Sequence, residues 1–377
     1  MKIKSRLWGL GLILIANQVV ALDNKPSVWQ ALATPIEDRQ AVMNEWLNDE
    51  APHKTWKNWP LKNSKLMAIA QGSHLWVDRA NKVGEAWQDQ HSHPDAQWTD
   101  VVLEGKAGGK LRYFSNLNVT AEQVTVDEAY VNFAVLPLTQ LKIGQFYSAV
   151  GRLNSQHPHD RDFIDAPVIY QRLFGDSAML EKGFQVNHLL SQGLVLGVEG
   201  LTATNRDQFA SDRMQFNTTS LFGRWALQMS PATRALLGAS LVNGEQRASD
   251  GRYYASQWAV MDLTLKYDTH NGRYWLWQSE FLSREANSRL TDIANQSGYY
   301  TMLLYRWHPQ WRVGLRDEKS WVSDQQHLPD QHRLSMLVEY DATKWLRTRW
   351  QIGEVNQSNG LSGFYFLLGW QASFAWQ

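Results

Sequence analysis

Ser148 to Met179 is the stretch of this chain richest in groups that could do chemistry. Arg152, His157, His159, Asp160, Asp162, Asp165 and Arg172 all fall within it, with Arg161 among them. Two imidazoles close to three carboxylates could hold a divalent cation, because both ligand types suit zinc. Only Pro158 separates the two histidines, however, and the spacing defines no fourth ligand. Hydrogen bonds that order the loop are the other use of the same side chains. A third use follows if Asp160, Asp162 and Asp165 face a wall of arginines across a gap, where the opposed charges would orient dipolar solutes. His91 and His93 form a second, less developed pair. A hydrolase would need a nucleophile and a base held together. His188 and His332 lie near predicted strands without an indicated serine, and Asp160 beside His159 is only superficially a protease-like pair. No metal or other cofactor is expected.

The elements that must position these groups are strands. From Leu66 onward apolar residues recur at every second position, as in Leu111–Val119 and Met261–Tyr267, the period of a two-faced strand and not of a helix. The last segment is the clearest. Phe364, Phe366, Leu368, Trp370, Ala372, Phe374 and Trp376 share one face, with Tyr365, Gly369, Gln371 and Ser373 on the other. An apolar outside with small or polar residues inside suits a strand between lipid and water. About sixteen such strands are predicted, an even number of the kind bacterial barrels use. Every second connection is tight, as at Ala107-Gly-Gly109, Pro137-Leu138, Ser191-Gln192 and Asp268–Gly272. The links at 78–97, 148–179, 205–216, 244–255 and 285–297 are long and mostly polar. Short turns at one end and long loops at the other are the asymmetry of a transmembrane antiparallel β-barrel.

Residues 1–21 read as a signal peptide: three basic residues by Arg6, an apolar stretch over Leu7–Val20 and a small-residue cleavage site at Ala21. The apolar stretch is too short to span a bilayer as a helix. Residues 22–65 read as an acidic, loosely helical periplasmic extension, and 66–377 as the outer-membrane barrel. Nineteen Trp, 13 Tyr and 13 Phe would supply aromatic girdles at both interfaces. The absence of cysteine excludes disulfide and thiolate chemistry. Lys and Arg together number 37, as do Asp and Glu. That balance argues against a nucleic-acid partner held by bulk charge.

If apolar residues face lipid, their neighbours face the lumen. Arg112, Lys142, Arg224, Lys266, Arg312, Arg316, Arg333, Arg347 and Arg349 are then inside, with Glu199, Glu280 and Glu339 among the acids. More arginines than carboxylates on the last strands is the pattern of a channel that concentrates anions; ordinary salt-bridge lining is the alternative.

A barrel of about sixteen strands whose longest loop follows the fifth resembles the bacterial general porins. Lys142–Ser148, Gly151–Asn154, His157-Pro-His159 and Phe163–Pro167 are similar to a proteobacterial group near the phosphate-selective porin (porin O/P) superfamily. The resemblance implies a passive diffusion channel with the long loop folded into the lumen. Its expected partners are outer-membrane lipid and small hydrophilic solutes or ions, its expected assembly a homotrimer, and it would be no enzyme. A barrel hydrolase, or a metal-binding or metal-uptake barrel using loop 148–179, is the alternative.

Overall fold

A computed structural model describes residues 64–77, 97–107, 111–174, 178–190, 193–202, 209, 216–247, 251–286, 295–322 and 329–376. The signal peptide, nearly all of the N-terminal extension, His91 with His93, and Gly175 lie outside the described residues.

The described chain is a run of antiparallel strands. They are β1 (Ser64–Val77), β2 (Gln97–Ala107), β3 (Leu111–Val119), β4 (Val124–Leu136), β5 (Thr139–Tyr147) and β6 (Leu180–Leu189). Next come β7 (Leu194–Thr202), β8 (Thr218–Gln228), β9 (Thr233–Arg247), β10 (Tyr253–Asp268) and β11 (Tyr274–Ala286). The series ends with β12 (Gln296–His308), β13 (Trp311–Val322), β14 (Gln331–Asp341), β15 (Leu346–Gln357) and β16 (Ser362–Trp376). Each pairs with its sequence neighbours, and β1 pairs with β16 from Leu66↔Trp376 to Val77↔Tyr365. The sixteen strands therefore close into a barrel, which leaves no unpaired edge.

The alternation read from the sequence decides which face is which. Leu303, Leu315, Met336 and Ile352 stand in register across β12 to β15, and all four are exposed on the outside. In water such a belt would be an association hazard; against hydrocarbon it is the required surface. On β16 the sides fall as expected: Phe364 and Trp370 are exposed, while Tyr365 and Gly369 are buried inside. The tight links hold too. Between β10 and β11, Asn271 (φ 66°) and Gly272 (φ 72°) both take the left-handed conformation, which suits Asn-Gly in a turn. One boundary differs. The 244–255 link is much shorter than expected, because the β9–β10 ladder continues to Arg247↔Tyr253.

Loop 148–179 turns into the lumen. It contains a one-turn 3-10 helix at Pro158–Asp160 and a short helix α1 (Val168–Phe174). Pro158 sits at the first position of the 3-10 turn, where its fixed φ is pre-organised. Gly151 takes φ +67° near the start of the loop, a conformation that glycine adopts without strain. Val150, Leu153, Phe163, Ile169, Tyr170, Leu173 and Phe174 pack with Val260, Leu282, Tyr300, Met302 and Leu304 of the wall. The barrel thus has an apolar core inside its lumen, made by its own loop.

A closed ladder of this length should resist detergent at room temperature. The protein in sodium dodecyl sulfate should migrate at one position unheated and another after boiling, with a β-type circular-dichroism spectrum; unchanged migration would contradict closure.

Candidate functional site

The lumen at the level of loop 148–179 is a network of charged groups, and the loop holds three separate sectors of the wall. The first is on β13 to β15. Asp162 Oδ1 accepts from Arg312 Nη1 at 2.5 Å, and Arg312 Nη2 donates to Glu339 Oε2 at 2.8 Å. Asp165 Oδ1 accepts from Arg316 Nη2 at 2.6 Å and from Gln351 Nε2 at 2.8 Å, and its Oδ2 lies 2.8 Å from Arg333 Nη1. Glu318 braces both arginines: its Oε1 accepts from Arg316 Nε at 3.1 Å and Arg333 Nε at 2.5 Å. Glu318 Oε2 accepts the Val168 N–H at 2.6 Å, one of the donors that the start of α1 leaves unpaired. Burial pushes the Asp165 carboxyl up, but Arg316 and Arg333 outweigh it and hold the group below the usual carboxylate range.

The second sector is acidic and lies on β2 and β4. His157 Nε2 is 2.5 Å from Glu128 Oε2, and His159 Nδ1 is 3.0 Å from Asp100 Oδ2. The two imidazoles stack at 5.1 Å and 12°. Glu128 also accepts the Tyr147 N–H at 2.9 Å, and Asp100 accepts from Gln71 Nε2 at 3.0 Å. Burial opposes charging of His157, but its contact with Glu128 wins and raises it to about 9.

The third sector receives the first turn of the loop. Glu199 accepts from Ser148 Oγ at 2.5 Å and from the Ala149 N–H at 2.8 Å. Glu280 accepts the Leu153 N–H at 2.8 Å, the Tyr170 hydroxyl at 2.6 Å and the Tyr300 hydroxyl at 2.5 Å. Arg224 Nη2 donates to the Ala149 carbonyl at 2.7 Å, and its Nη1 lies 3.2 Å from Asp262.

Inward parity is as expected for the remaining basic residues. Lys142 Nζ lies over the Tyr130 ring at 4.7 Å, and Lys266 pairs with Asp268 at 3.1 Å near the mouth. Arg112 faces Lys106 and Asn132 across its ladders. Arg347 Nε binds Asp341 at 2.9 Å, and Arg349 Nη1 donates to the Arg161 carbonyl at 2.8 Å. Arg172 leaves the group, donating to the Pro329 carbonyl at 2.6 Å and to Ser320. Arg152 Nε is buried without a hydrogen-bond partner among the described residues, and the Arg152 carbonyl accepts from Ser155 Oγ at 2.8 Å.

Three expectations need correction. Asp162 and Asp165 do not face the arginines across a gap; they touch them, because the loop is packed onto that wall. Asp160 takes no part in it: its side chain is half exposed, 3.8 Å from His159. The arginines of the last strands are also not in excess of acids at this level, since Asp162, Asp165, Glu318 and Glu339 engage Arg312, Arg316 and Arg333. For a metal, each histidine is spent on a different carboxylate, and no group of three or more such ligands converges among the described residues. The two histidines tie the loop to β4 and β2 through these contacts.

Sequence reasoning missed Asp100, Glu128 and Glu318. Glu318 keeps parity with Arg312 and Arg316 and was readable. Glu128 was not, because Val124 and Val126 point outward and strict alternation would send Glu128 outward with them. A bulge leaves Asp127 without a partner between Val126↔Leu117 and Glu128↔Asn116, and this extra residue turns Glu128 inward.

No protein-family profile matches this chain. An uncharacterized protein of Aquifex aeolicus is 27% identical over 295 residues, 68% of this chain. The match covers 62% of that relative, less than two thirds of its length. Among solved structures, the anion-selective porin from Comamonas acidovorans superposes with a TM-score of 0.57 at 10% identity, over 82% of this chain and 99% of its own. The outer membrane channel DcaP of Acinetobacter baumannii gives 0.55 at 10% identity, over 83% and 96%. A trimer form of OmpT, an outer membrane protein of Vibrio cholerae, gives 0.53 at 8% identity, over 83% and 99%. The chain has the outer-membrane porin fold. With its closed barrel and apolar belt, it is a protein of the bacterial outer membrane.

Two predictions follow from the contacts of this porin-fold lumen. Asp165→Asn leaves Arg316 and Arg333 short of a counter-charge, so urea unfolding should show a loss of about 3 kcal/mol, the scale for breaking a buried ion pair. Because folding raises the His157 pKa from 6.5 to about 9, its contribution is complete below 6.5 and disappears as pH rises through 9. Proteolysis within loop 148–179 should therefore accelerate above that pH, and His157→Gln should abolish the step.

Proposed function

We propose that this protein is a diffusion channel for small hydrophilic solutes, without catalytic activity. The observation that supports this best is the wall itself. Inward positions on strand after strand are charged or amide side chains, among them Asp100, Asn116, Gln185, Gln278, Arg316 and Gln351, a polar inner face of the kind that conducts water and ions. The fold likeness to porins and channels points the same way. A weak anion preference belongs to this reading and would rest on Arg347 and Arg349, which form no ion-pair contact with a loop carboxylate among the described residues. A homotrimer is the assembly that goes with it, as one similar barrel is a trimer form. A signal peptide at 1–21 and a periplasmic extension at 22–65 are part of the proposal. So is a relation to the phosphate-selective porin superfamily, carried by the residues between Lys142 and Pro167.

Purified protein added to a planar lipid bilayer should give stepwise currents. Under a salt gradient, Arg347→Gln with Arg349→Gln should move the reversal potential toward cation preference, because two fixed positive charges leave a confined passage. An intact bilayer that never conducts would refute the channel, and an unmoved reversal potential would refute the role of these arginines.

A further inference from the structure

The charges lining this barrel are cancelled by its own loop. Loop aspartates sit on the arginines of β13 and β14, and loop histidines sit on the acids of β2 and β4. Two of the three sectors therefore meet side chains of the opposite sign from the same 32-residue-span segment, Ser148 to Met179, and the third meets its uncharged donors and acceptors. The wall behind these contacts is covered: Glu199, Glu318 and Gln351 are fully buried, and Asp100 and Glu280 nearly so. A cavity between Arg161, Phe163, Asp165, Tyr300 and Arg316 has space on the order of one water molecule. An open aqueous pore needs its polar lining in contact with water. Here that lining is spent on the loop.

We propose that loop 148–179 is a gate, a plug latched by ion pairs of opposite sign on two sectors of the wall, and that solute passes only when it undocks. The proposal rests on the channel reading above. It also names what opening exposes. Undocking removes Asp162 and Asp165 and leaves Arg312, Arg316, Arg333 and Arg349 against Glu318 and Glu339. The other sector keeps Asp100 and Glu128 without their histidines. A net positive surface and a net negative one then line the same lumen, so the field that selects and orients charged solutes exists only in the open state. Such a device needs two discrete states with a bias between them. The buried apolar face of the loop and its ion pairs set the bias toward closed, and Gly151 supplies a pivot beside the fixed end of β5.

The chain has no cysteine, so a single engineered disulfide can test this. A Cβ on Gly369, which is inward on β16, would lie 3.2 Å from Ile164 Cδ1 and Cγ1 and 3.6 Å from its Cγ2. The side chains at positions 164 and 369 are therefore direct neighbours, which a disulfide between them requires. Ile164→Cys with Gly369→Cys should give, once cross-linked, a current lower than that of the reduced protein by about tenfold or more, restored by reductant. Equal currents from verified cross-linked and reduced protein overturn the gate and leave the channel standing. Absence of current from the wild-type and reduced proteins alike overturns the gate together with the channel. Asp162→Asn with Asp165→Asn keeps the shape of the latch and removes its charge, so it should raise the open fraction and shift the reversal potential. If both stay as in the wild type, the latch is refuted whether or not the cysteine pair folds.

Discussion

Backbone groups that lie in hydrocarbon have no water to bind, so a strand that enters a membrane must have a partner on each side. In this chain the requirement is met by the pairing of β1 with β16, twelve consecutive positions from Leu66 to Val77. Everything else depends on that closure. It fixes a lumen of sixteen-strand girth, too wide for side chains alone to fill, and it turns every second residue toward that space. The interior must then be occupied either by water or by another part of the chain.

Loop 148–179 occupies it, and the chemistry of the loop is what makes that arrangement stable. Moving a carboxylate out of water is costly unless the ion is paired and its remaining lone pairs are bonded. Asp165 meets both conditions, with Arg316, Arg333 and Gln351 around it. Glu280 meets them without a cation, through two tyrosine hydroxyls and a backbone N–H. Phe163 links the polar and apolar parts of the plug: it is buried in the apolar cluster and lies under the Arg316 guanidinium at 4.4 Å. The polar contacts set where the loop sits, and the apolar cluster of Ile169, Leu173 and Phe174 makes leaving water favourable there.

This also explains why the same residues can look like a selectivity filter in one frame and a scaffold in another. A fixed charge acts on a permeating ion only while it is not neutralised at contact distance. Arg312, Arg316 and Arg333 are neutralised by the docked loop, whereas Arg347 pairs with Asp341 at 2.9 Å on the wall itself and, one-third exposed near the mouth, stands where water reaches it. Charge counting along a sequence gives the sum over all states of the loop, not the charge that a solute meets in any one of them.

The strand periods, the even strand number, the alternation of tight and long links and the inward side of β13 to β16 were legible in the residues. These are local properties, set by alternation and turn chemistry within a dozen positions. The inward folding of the loop was also legible, because Phe163, Ile169, Leu173 and Phe174 are too apolar to remain in water. What the loop touches was not. Asp165 finds Arg316 and Gln351 across 151 and 186 positions of chain, and such pairings exist only once the barrel has closed and the loop has crossed it. Glu128 was hidden for a different reason, since a single bulged residue at Asp127 reverses the side to which the strand pattern assigns it. Periodicity along the chain therefore determined the barrel, whereas the cancellation of charge inside it was decided by tertiary structure, because Coulomb interactions depend on distance in space and the sequence records only distance along the chain.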